Sequence, residues 1–150
     1  MEYGEAYATD IVSNARAFAG ALAAEGFDVL AESRGYTASH QVLTRHGELD
    51  SGAGAKAAQR LEEAGIITNM NMLPGDTKAM TPSGLRLGVQ ELTRVGFSND
   101  DMEEVASFYA RVLLHGEDPA AVRADVHALK QQRQTIRYCF NEDERSGYPE

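Results

Sequence analysis

The segment GLRLGVQ, from Gly84 to Gln90, constrains the fold more than any other part of the sequence. Its apolar residues alternate with glycine or a polar residue, which is the pattern of a β-strand that enters a core. Arg86 lies in the middle of this strand, and its immediate neighbours carry no negative charge. Because a buried guanidinium without a partner is costly, we expect Arg86 to be matched by an anion.

Two sources of that anion are consistent with the residues. The chain has 23 acidic side chains against 14 basic ones, so one reading is an internal ion pair between Arg86 and an Asp or Glu. The other is a bidentate clamp on the carboxylate of a substrate, with Gly84 and Gly88 leaving room for close approach. The residues alone leave both readings open.

Periodicity predicts the elements around this strand. In chain order, the signals are a helix over 8–25, strands over 27–33 and 39–46, a helix that ends at Gly65, strands over 66–73 and 84–90, a helix after the cap SNDD at 98–101, and a helix capped by Asp118. This order predicts an α+β fold with a small mixed or antiparallel sheet flanked by helices. We expect one domain over 1–140 and a charged, flexible tail over 141–150.

Composition disfavours several classes of function. A formal net charge of −9 without a run of Lys or Arg argues against nucleic acid or an anionic membrane surface as partner. The single cysteine, Cys139, cannot form an internal disulfide, and the first ten residues lack the basic and apolar regions of a signal peptide. These features predict a cytoplasmic protein.

One glycine-rich segment invites a phosphate-loop reading. DSGAGAK, at 50–56, has glycines followed by a lysine, but it lacks the glycine spacing and the Lys-Ser/Thr ending of that motif. A helix start capped by Ser51 is therefore the simpler prediction.

The histidines do not predict a metal site. They lack the paired spacing of zinc ligands, although the first two could share one face of a strand: His40, His46, His115 and His127. His40 by itself fits either an interior histidine or one that faces a ligand.

The stretches ASHQVLTRHGELDSGAGAKAAQRLEEAGIITNMNMLP and TPSGLRLGVQELTRVGF resemble the carboxy-terminal domain of serine hydroxymethyltransferases and related threonine transaldolases, which are fold type I pyridoxal-phosphate enzymes. The resemblance extends from about Tyr7 to Leu114. In that family a strand Ser-Gly-Ile/Leu-Arg-Ile/Val/Leu-Gly carries the arginine that binds the amino-acid carboxylate, and Ser83 to Gly88 match it position by position. The resemblance thus implies that Arg86 binds substrate, and it places His40 at the family's histidine position.

The resemblance also bears on the second substrate. Asn71 matches an asparagine that contacts the pterin of folate in the hydroxymethyltransferases, but the lysine that usually precedes it is Met70 here. GVQELT, at 88–93, likewise replaces the usual GTPALT. These departures fit a relative that takes its aldehyde from another source, so the use of tetrahydrofolate is left open.

The family's larger domain supplies the Schiff-base lysine and the site for pyridoxal 5'-phosphate. None of the three lysines here, Lys56, Lys78 and Lys130, follows the threonine-rich segment that marks that residue. The resemblance therefore implies the small subunit of a split enzyme, with no catalytic residue of its own. A separate PLP-binding large subunit would complete it, in a heterotetramer by analogy, for aldol-type hydroxymethyl transfer or transaldolation on glycine, serine or threonine. The alternative is a non-catalytic binding or regulatory remnant of the same domain.

Overall fold

The computed structural model describes residues 3–133 and 135–139. Over these residues the chain forms five α-helices, a 3₁₀ turn and one four-stranded sheet, which confirms the α+β prediction. The elements are α1 (Gly4–Glu25), β1 (Asp28–Val29), β2 (Gln41–Arg45), α2 (Ala53–Glu63), β3 (Asn69–Asn71), β4 (Gly84–Gly88), α3 (Gln90–Arg94), α4 (Asp101–Leu113) and α5 (Pro119–Gln132). The tail predicted over 141–150 lies outside the described residues.

The sheet places β4 in its interior. The strand order is β1-β2-β4-β3, and every neighbouring pair is antiparallel. On one face, Leu85 and Leu87 of β4 and Val42 of β2 are buried with the helices in a single hydrophobic core. Since side chains alternate along a strand, the residues between them point to the other face.

Local signals account for the helix ends. Gly26 ends α1 in the left-handed conformation, with φ 102°, as a glycine stop predicts. Asp118 begins α5, and its carboxylate accepts a hydrogen bond from the N–H of Ala120 at 3.0 Å. Within α1, Phe18 and Leu22 belong to the apolar face that packs against the sheet and α4. The predicted helices therefore form close to where the sequence placed them.

Three sequence predictions differ from the structure. The strand predicted over 27–33 is only Asp28–Val29, because the chain turns at Ala31, with φ 64°, into the 3₁₀ turn Glu32–Arg34. The strand predicted over 66–73 is only Asn69–Asn71. The strand predicted over 84–90 ends at Gly88, and the short helix α3 follows it without having been predicted.

Helix α2 packs its backbone directly against β4. A Cβ on Gly54 would collide with the backbone of Gly84, so only glycine allows this approach. The N–H groups of Gly52 and Gly54 donate to the carbonyls of Thr81 and Pro82, both at 3.0 Å. The glycines of DSGAGAK thus serve helix packing, and these two donors are occupied by protein rather than directed at a phosphate.

Helix length also bears on membrane insertion. Among the residues that the structure describes, no helix combines the length and the apolar character needed to cross a lipid bilayer.

Candidate functional site

The face of the sheet opposite the core carries the candidate site, and we call it the open face. The register assigns it Asp28 of β1, Gln41, Leu43 and Arg45 of β2, Gly84, Arg86 and Gly88 of β4, and Asn69 and Asn71 of β3. Gln41, Asn69, Arg86 and Gly88 are exposed. The open face is therefore polar and accessible at its centre.

Arg86 does not enter the core, which corrects the expectation drawn from its apolar neighbours. It is exposed at the middle of the open face, because its position in the strand alternates with those of Leu85 and Leu87. Within 3–133 and 135–139, the guanidinium of Arg86 donates no hydrogen bond to a side chain or carbonyl and forms no ion pair. The internal ion pair, one of the two readings that the sequence left open, is therefore absent among the described residues.

Two residues flank Arg86 directly on the neighbouring strands. Leu43 of β2 lies opposite it on one side, and Asn69 of β3 lies opposite it on the other. Asn69 was not singled out from the sequence, since only the strand register identifies it. The other arginine of the open face, Arg45, is paired with Asp28, with 3.2 Å between Nε and the carboxylate. Arg86 thus has an apolar neighbour and a carboxamide neighbour, and no carboxylate.

The two glycines beside Arg86 are in different surroundings. A side chain at Gly84 would collide with Leu73, which covers this glycine on the open face. At Gly88, the carboxamide oxygen of Gln90 lies where a side chain would begin. The sequence predicted that both glycines leave room for a ligand, but Leu73 fills that space at Gly84, and only Gly88 is exposed.

The other predicted site residues lie at opposite ends of β4. His40 is half-buried and precedes Gln41, which pairs with Gly88. Asn71 is half-buried and pairs with Gly84, and its amide donates to the carbonyl of Met72 at 2.6 Å. The two ends of β4 are about 13 Å apart at the usual rise of a strand. His40 and Asn71 therefore border the open face on either side of Arg86 without meeting each other.

Two aspartates link the loops that lead into α2 and β4. The carboxylate of Asp76 accepts hydrogen bonds from the N–H of Asp50 at 2.7 Å, of Leu73 at 2.8 Å and of Ser83 at 3.0 Å, and from the Ser83 hydroxyl at 2.8 Å. Partial burial raises the pKa of Asp76, but these hydrogen bonds outweigh it and hold the pKa far below its usual range. Asp76 is thus a charged acceptor that joins three points of the chain.

Asp50 makes a second, separate link. Its carboxylate accepts from the hydroxyl of Thr77 at 2.6 Å, and from the N–H groups of Thr77 and Lys78, both at 2.8 Å. The hydroxyl bond, together with the two N–H groups, lowers the pKa of Asp50 below its usual range. Asp50, in the loop before α2, and Asp76, in the loop before β4, therefore each accept hydrogen bonds from the other loop.

The histidines are not brought together. His46 packs its ring edge-on against Phe27, with 5.9 Å between centroids, and its Nε2 lies 2.8 Å from the hydroxyl of Thr44. Burial lowers the pKa of His46 to about 4. Across the described part of the chain, no three His, Cys, Asp or Glu side chains are grouped as metal ligands would be.

The chain is similar in sequence and fold to known proteins. A family model described as serine hydroxymethyltransferase matches residues 2–109. The chain belongs to the serine hydroxymethyltransferase family. The solved structure of L-threonine transaldolase from Pseudomonas fluorescens in the internal aldimine state has the same fold, with a TM-score of 0.77 and 34% identity. That likeness covers 87% of this chain and 29% of the transaldolase.

Individual relatives show how much of the family the chain represents. The serine hydroxymethyltransferase of Thermococcus kodakarensis is 54% identical over 143 residues, which are 94% of this chain and 33% of that protein. The serine hydroxymethyltransferase of Thermoplasma acidophilum is 43% identical over 150 residues, which are 99% of this chain and 35% of that protein. The chain therefore spans about a third of the length of the relatives it matches.

The family is pyridoxal-phosphate dependent, and that cofactor is bound to a lysine in the family, so the placement of the three lysines matters here. Lys56 and Lys130 are exposed on two different helices, and Lys78 is exposed on a loop. None of them lies on the open face, and the N–H groups of Gly52 and Gly54 are occupied by carbonyls. At the centre of the open face the chain therefore presents an exposed arginine, Arg86, and its three lysines lie elsewhere.

Proposed function

We propose that this chain supplies the arginine that binds the substrate carboxylate in a pyridoxal-phosphate enzyme related to serine hydroxymethyltransferase, and that a separate large subunit holds the cofactor. The substrate would be glycine, serine, threonine or a close analogue. The reaction would be an aldol-type hydroxymethyl transfer or a transaldolation.

The observation that carries this proposal is the state of Arg86. An exposed arginine in a chain of net charge −9 has many acidic residues to pair with, yet the described residues leave it without one. The guanidinium presents parallel N–H groups that match the two oxygens of a carboxylate. Each such charge-assisted hydrogen bond contributes about 1.5–3 kcal/mol, so a bidentate pair is enough to orient a small amino acid.

The strand gives this guanidinium a fixed base. β4 pairs with β2 on one side and with β3 on the other, so the backbone of Arg86 is held from both directions. A carboxylate bound there would meet a donor whose backbone is already fixed, so only the side chain of Arg86 has to be ordered on binding. The part of this chain in the reaction would be binding and orientation, with no proton transfer assigned to its side chains.

The relatives point to the size of the missing partner. Because they are about three times as long as the matched region, the partner would be roughly twice the length of this chain. It would face the open face, where Arg86, Asn69 and Gln41 are accessible. A heterotetramer with two copies of each chain is the corresponding assembly.

The carbon donor has two candidates. Met70 replaces the lysine of the folate segment and Gln90 lies in the altered segment GVQELT, which favours a transaldolase that does not use folate. The sequence identities instead favour hydroxymethyl transfer, since they reach 54% with an enzyme named serine hydroxymethyltransferase and 34% with a transaldolase. Dependence of turnover on tetrahydrofolate decides between them.

A second candidate is a non-catalytic binding or regulatory module. It is favoured by the exposure of Arg86, which could bind an amino-acid carboxylate by itself, on a face where the strand register places no lysine. In that case the chain would bind a free amino acid without a cofactor-bearing partner.

The test is co-expression with a large-domain homologue encoded by an adjacent gene, followed by size-exclusion chromatography and visible spectroscopy with glycine. We expect co-elution, pyridoxal-phosphate absorbance in the complex, and a spectral change on addition of glycine. The same complex with Arg86→Gln should form and carry the cofactor but need far more glycine.

Two results would contradict the proposal, the first its split-enzyme arrangement and the second its role for Arg86. One is a large chain that binds cofactor and glycine equally well without this chain, which would leave a binding module. The other is an unchanged glycine response in the Arg86→Gln complex, which would show that the arginine serves another purpose.

A further inference from the structure

The start of β4 is held from two sides by one carboxylate. Asp76 binds the N–H and hydroxyl of Ser83, the residue immediately before Gly84. It also binds the N–H of Leu73, whose side chain covers Gly84 on the open face. Asp76 therefore fixes both the chain that leads into β4 and the side chain that lies over its first residue, two positions before Arg86.

Ser83 is buried, and its other bond extends the sheet. Its carbonyl accepts from the N–H of His46 at 2.9 Å, one step beyond the last β2–β4 pair at Arg45 and Gly84. On the core side, Gly84 meets Gly54 of α2. A displacement of Ser83 would thus shift β4 as far as Arg86, because Gly84 is closely packed between Leu73 and Gly54.

The neighbouring aspartate lacks these connections. Among the described residues, the carboxylate of Asp50 accepts hydrogen bonds only from Thr77 and Lys78, in the middle of the loop, and from neither β4 nor Leu73. The two aspartates are otherwise alike, since each accepts several hydrogen bonds and each ties the same two loops together. This difference provides a matched control within the chain.

We propose that Asp76 is a positioning residue for Arg86: by holding Leu73 and Ser83 it sets where the guanidinium stands on the open face. The inference rests on the proposed role of Arg86 in binding the substrate carboxylate. It adds a residue that touches neither substrate nor cofactor but determines how well the arginine meets the carboxylate.

The first experiment compares Asp76→Asn with Asp50→Asn in the complex with the large subunit. An amide has one acceptor oxygen instead of two, so each variant loses part of its link. We expect Asp76→Asn to weaken glycine binding about tenfold, as a misplaced binding group does, and Asp50→Asn to leave it within about twofold. Equal losses in the two variants would overturn the proposal and leave Asp76 as a loop anchor only.

A second experiment tests whether Asp76 acts through Arg86. In the Arg86→Lys background, Asp76→Asn should change glycine affinity by less than about twofold, because the group that it positions is already altered. Full additivity of the two losses would contradict a positioning role. If Asp76→Asn does not fold, Ser83→Ala takes its place in both experiments, since it removes one of the four bonds and keeps the carboxylate.

A third measurement separates this inference from the proposed function. Hydrogen exchange of the chain alone, followed over peptides that cover 83–89 and 76–79, needs neither substrate nor partner. Asp76→Asn should speed exchange in 83–89, and Asp50→Asn only in 76–79. An effect of Asp76→Asn confined to 76–79 would refute the positioning role, whereas normal glycine binding by Arg86→Lys would refute the proposed function and leave the exchange result standing.

Discussion

Arg86 on the open face and Arg111 on α4 have opposite surroundings. Arg111 donates to both oxygens of Glu117, at 2.7 and 2.6 Å, and lies 2.8 Å from the carboxylate of Asp125 in the middle of α5. Its guanidinium also lies over the ring of Phe108, 5.7 Å from the centroid. Arg86 has no such partner among the described residues. The guanidinium of Arg111 is thus paired within the chain and joins α4 to α5, whereas the guanidinium of Arg86 keeps its hydrogen-bond donors available.

The largest expected effect is on ligand binding by Arg86→Gln. Loss of two charge-assisted hydrogen bonds should weaken glycine binding to the complex about a hundredfold, while the thermal midpoint of the isolated chain stays within about 1 °C. Calorimetric titration of the complex and thermal unfolding of the chain measure the two quantities. A clear loss of stability would mean that Arg86 supports the fold as Arg111 does.

A smaller effect is expected when Arg86 is given an internal partner. Asn69→Asp places a carboxylate directly opposite Arg86, so the cross-strand pair should raise the thermal midpoint by about 1–2 °C. The new carboxylate competes with the ligand and should weaken glycine binding about tenfold. Asn71→Asp is the control, because residue 71 lies opposite Gly84. Equal effects of the two variants would indicate a general charge effect.

The third prediction concerns the satisfied arginine. Arg111→Gln should lower the thermal midpoint of the chain by about 2–4 °C, since the link between α4 and α5 is partly exposed and contributes modestly. Glycine binding to the complex should not change. Weaker binding in this variant would connect the α4–α5 corner to the open face.

The smallest expected effect is a dependence of the thermal midpoint on pH in the acid range. The hydrogen bonds from Arg111 hold the pKa of Glu117 below its usual range. A carboxyl whose pKa is lower in the folded state contributes stability above its unfolded pKa, and that stability is lost as pH falls through the folded value. The difference in thermal midpoint between wild type and Arg111→Gln should therefore be constant above about pH 5 and shrink below about pH 4. The difference between wild type and Arg86→Gln should not vary over this range.

Much of the fold follows from short-range patterns. The apolar spacing of α1 and its glycine stop, and the Asp118 cap of α5, specify those helices because their signals lie within one or two turns. The strand period also predicts the exposure of Arg86, since a strict alternation that buries Leu85 and Leu87 must turn residue 86 to the opposite face. The apolar neighbours of Arg86 indicate the buried face of the strand, and Arg86 itself lies on the other face.

The rest of the site depends on contacts that are distant in sequence. Asn69 is opposite Arg86 because β3 and β4 pair across a loop, and that loop is held by Asp50 and Asp76. No local pattern around residue 69 shows this register. Likewise, Leu73 over Gly84 is a tertiary contact, so the space that the sequence attributed to a ligand was already occupied.

The position of β4 between two strands has a mechanical consequence. An arginine on an edge strand or a loop could shift toward its ligand by local bending, but Arg86 is fixed to a backbone that is paired on both sides. The backbone around it can yield only if two ladders open together. Arg86 can therefore approach a ligand by rotation of its own exposed side chain or by movement of the sheet as a unit, but not by local bending of β4.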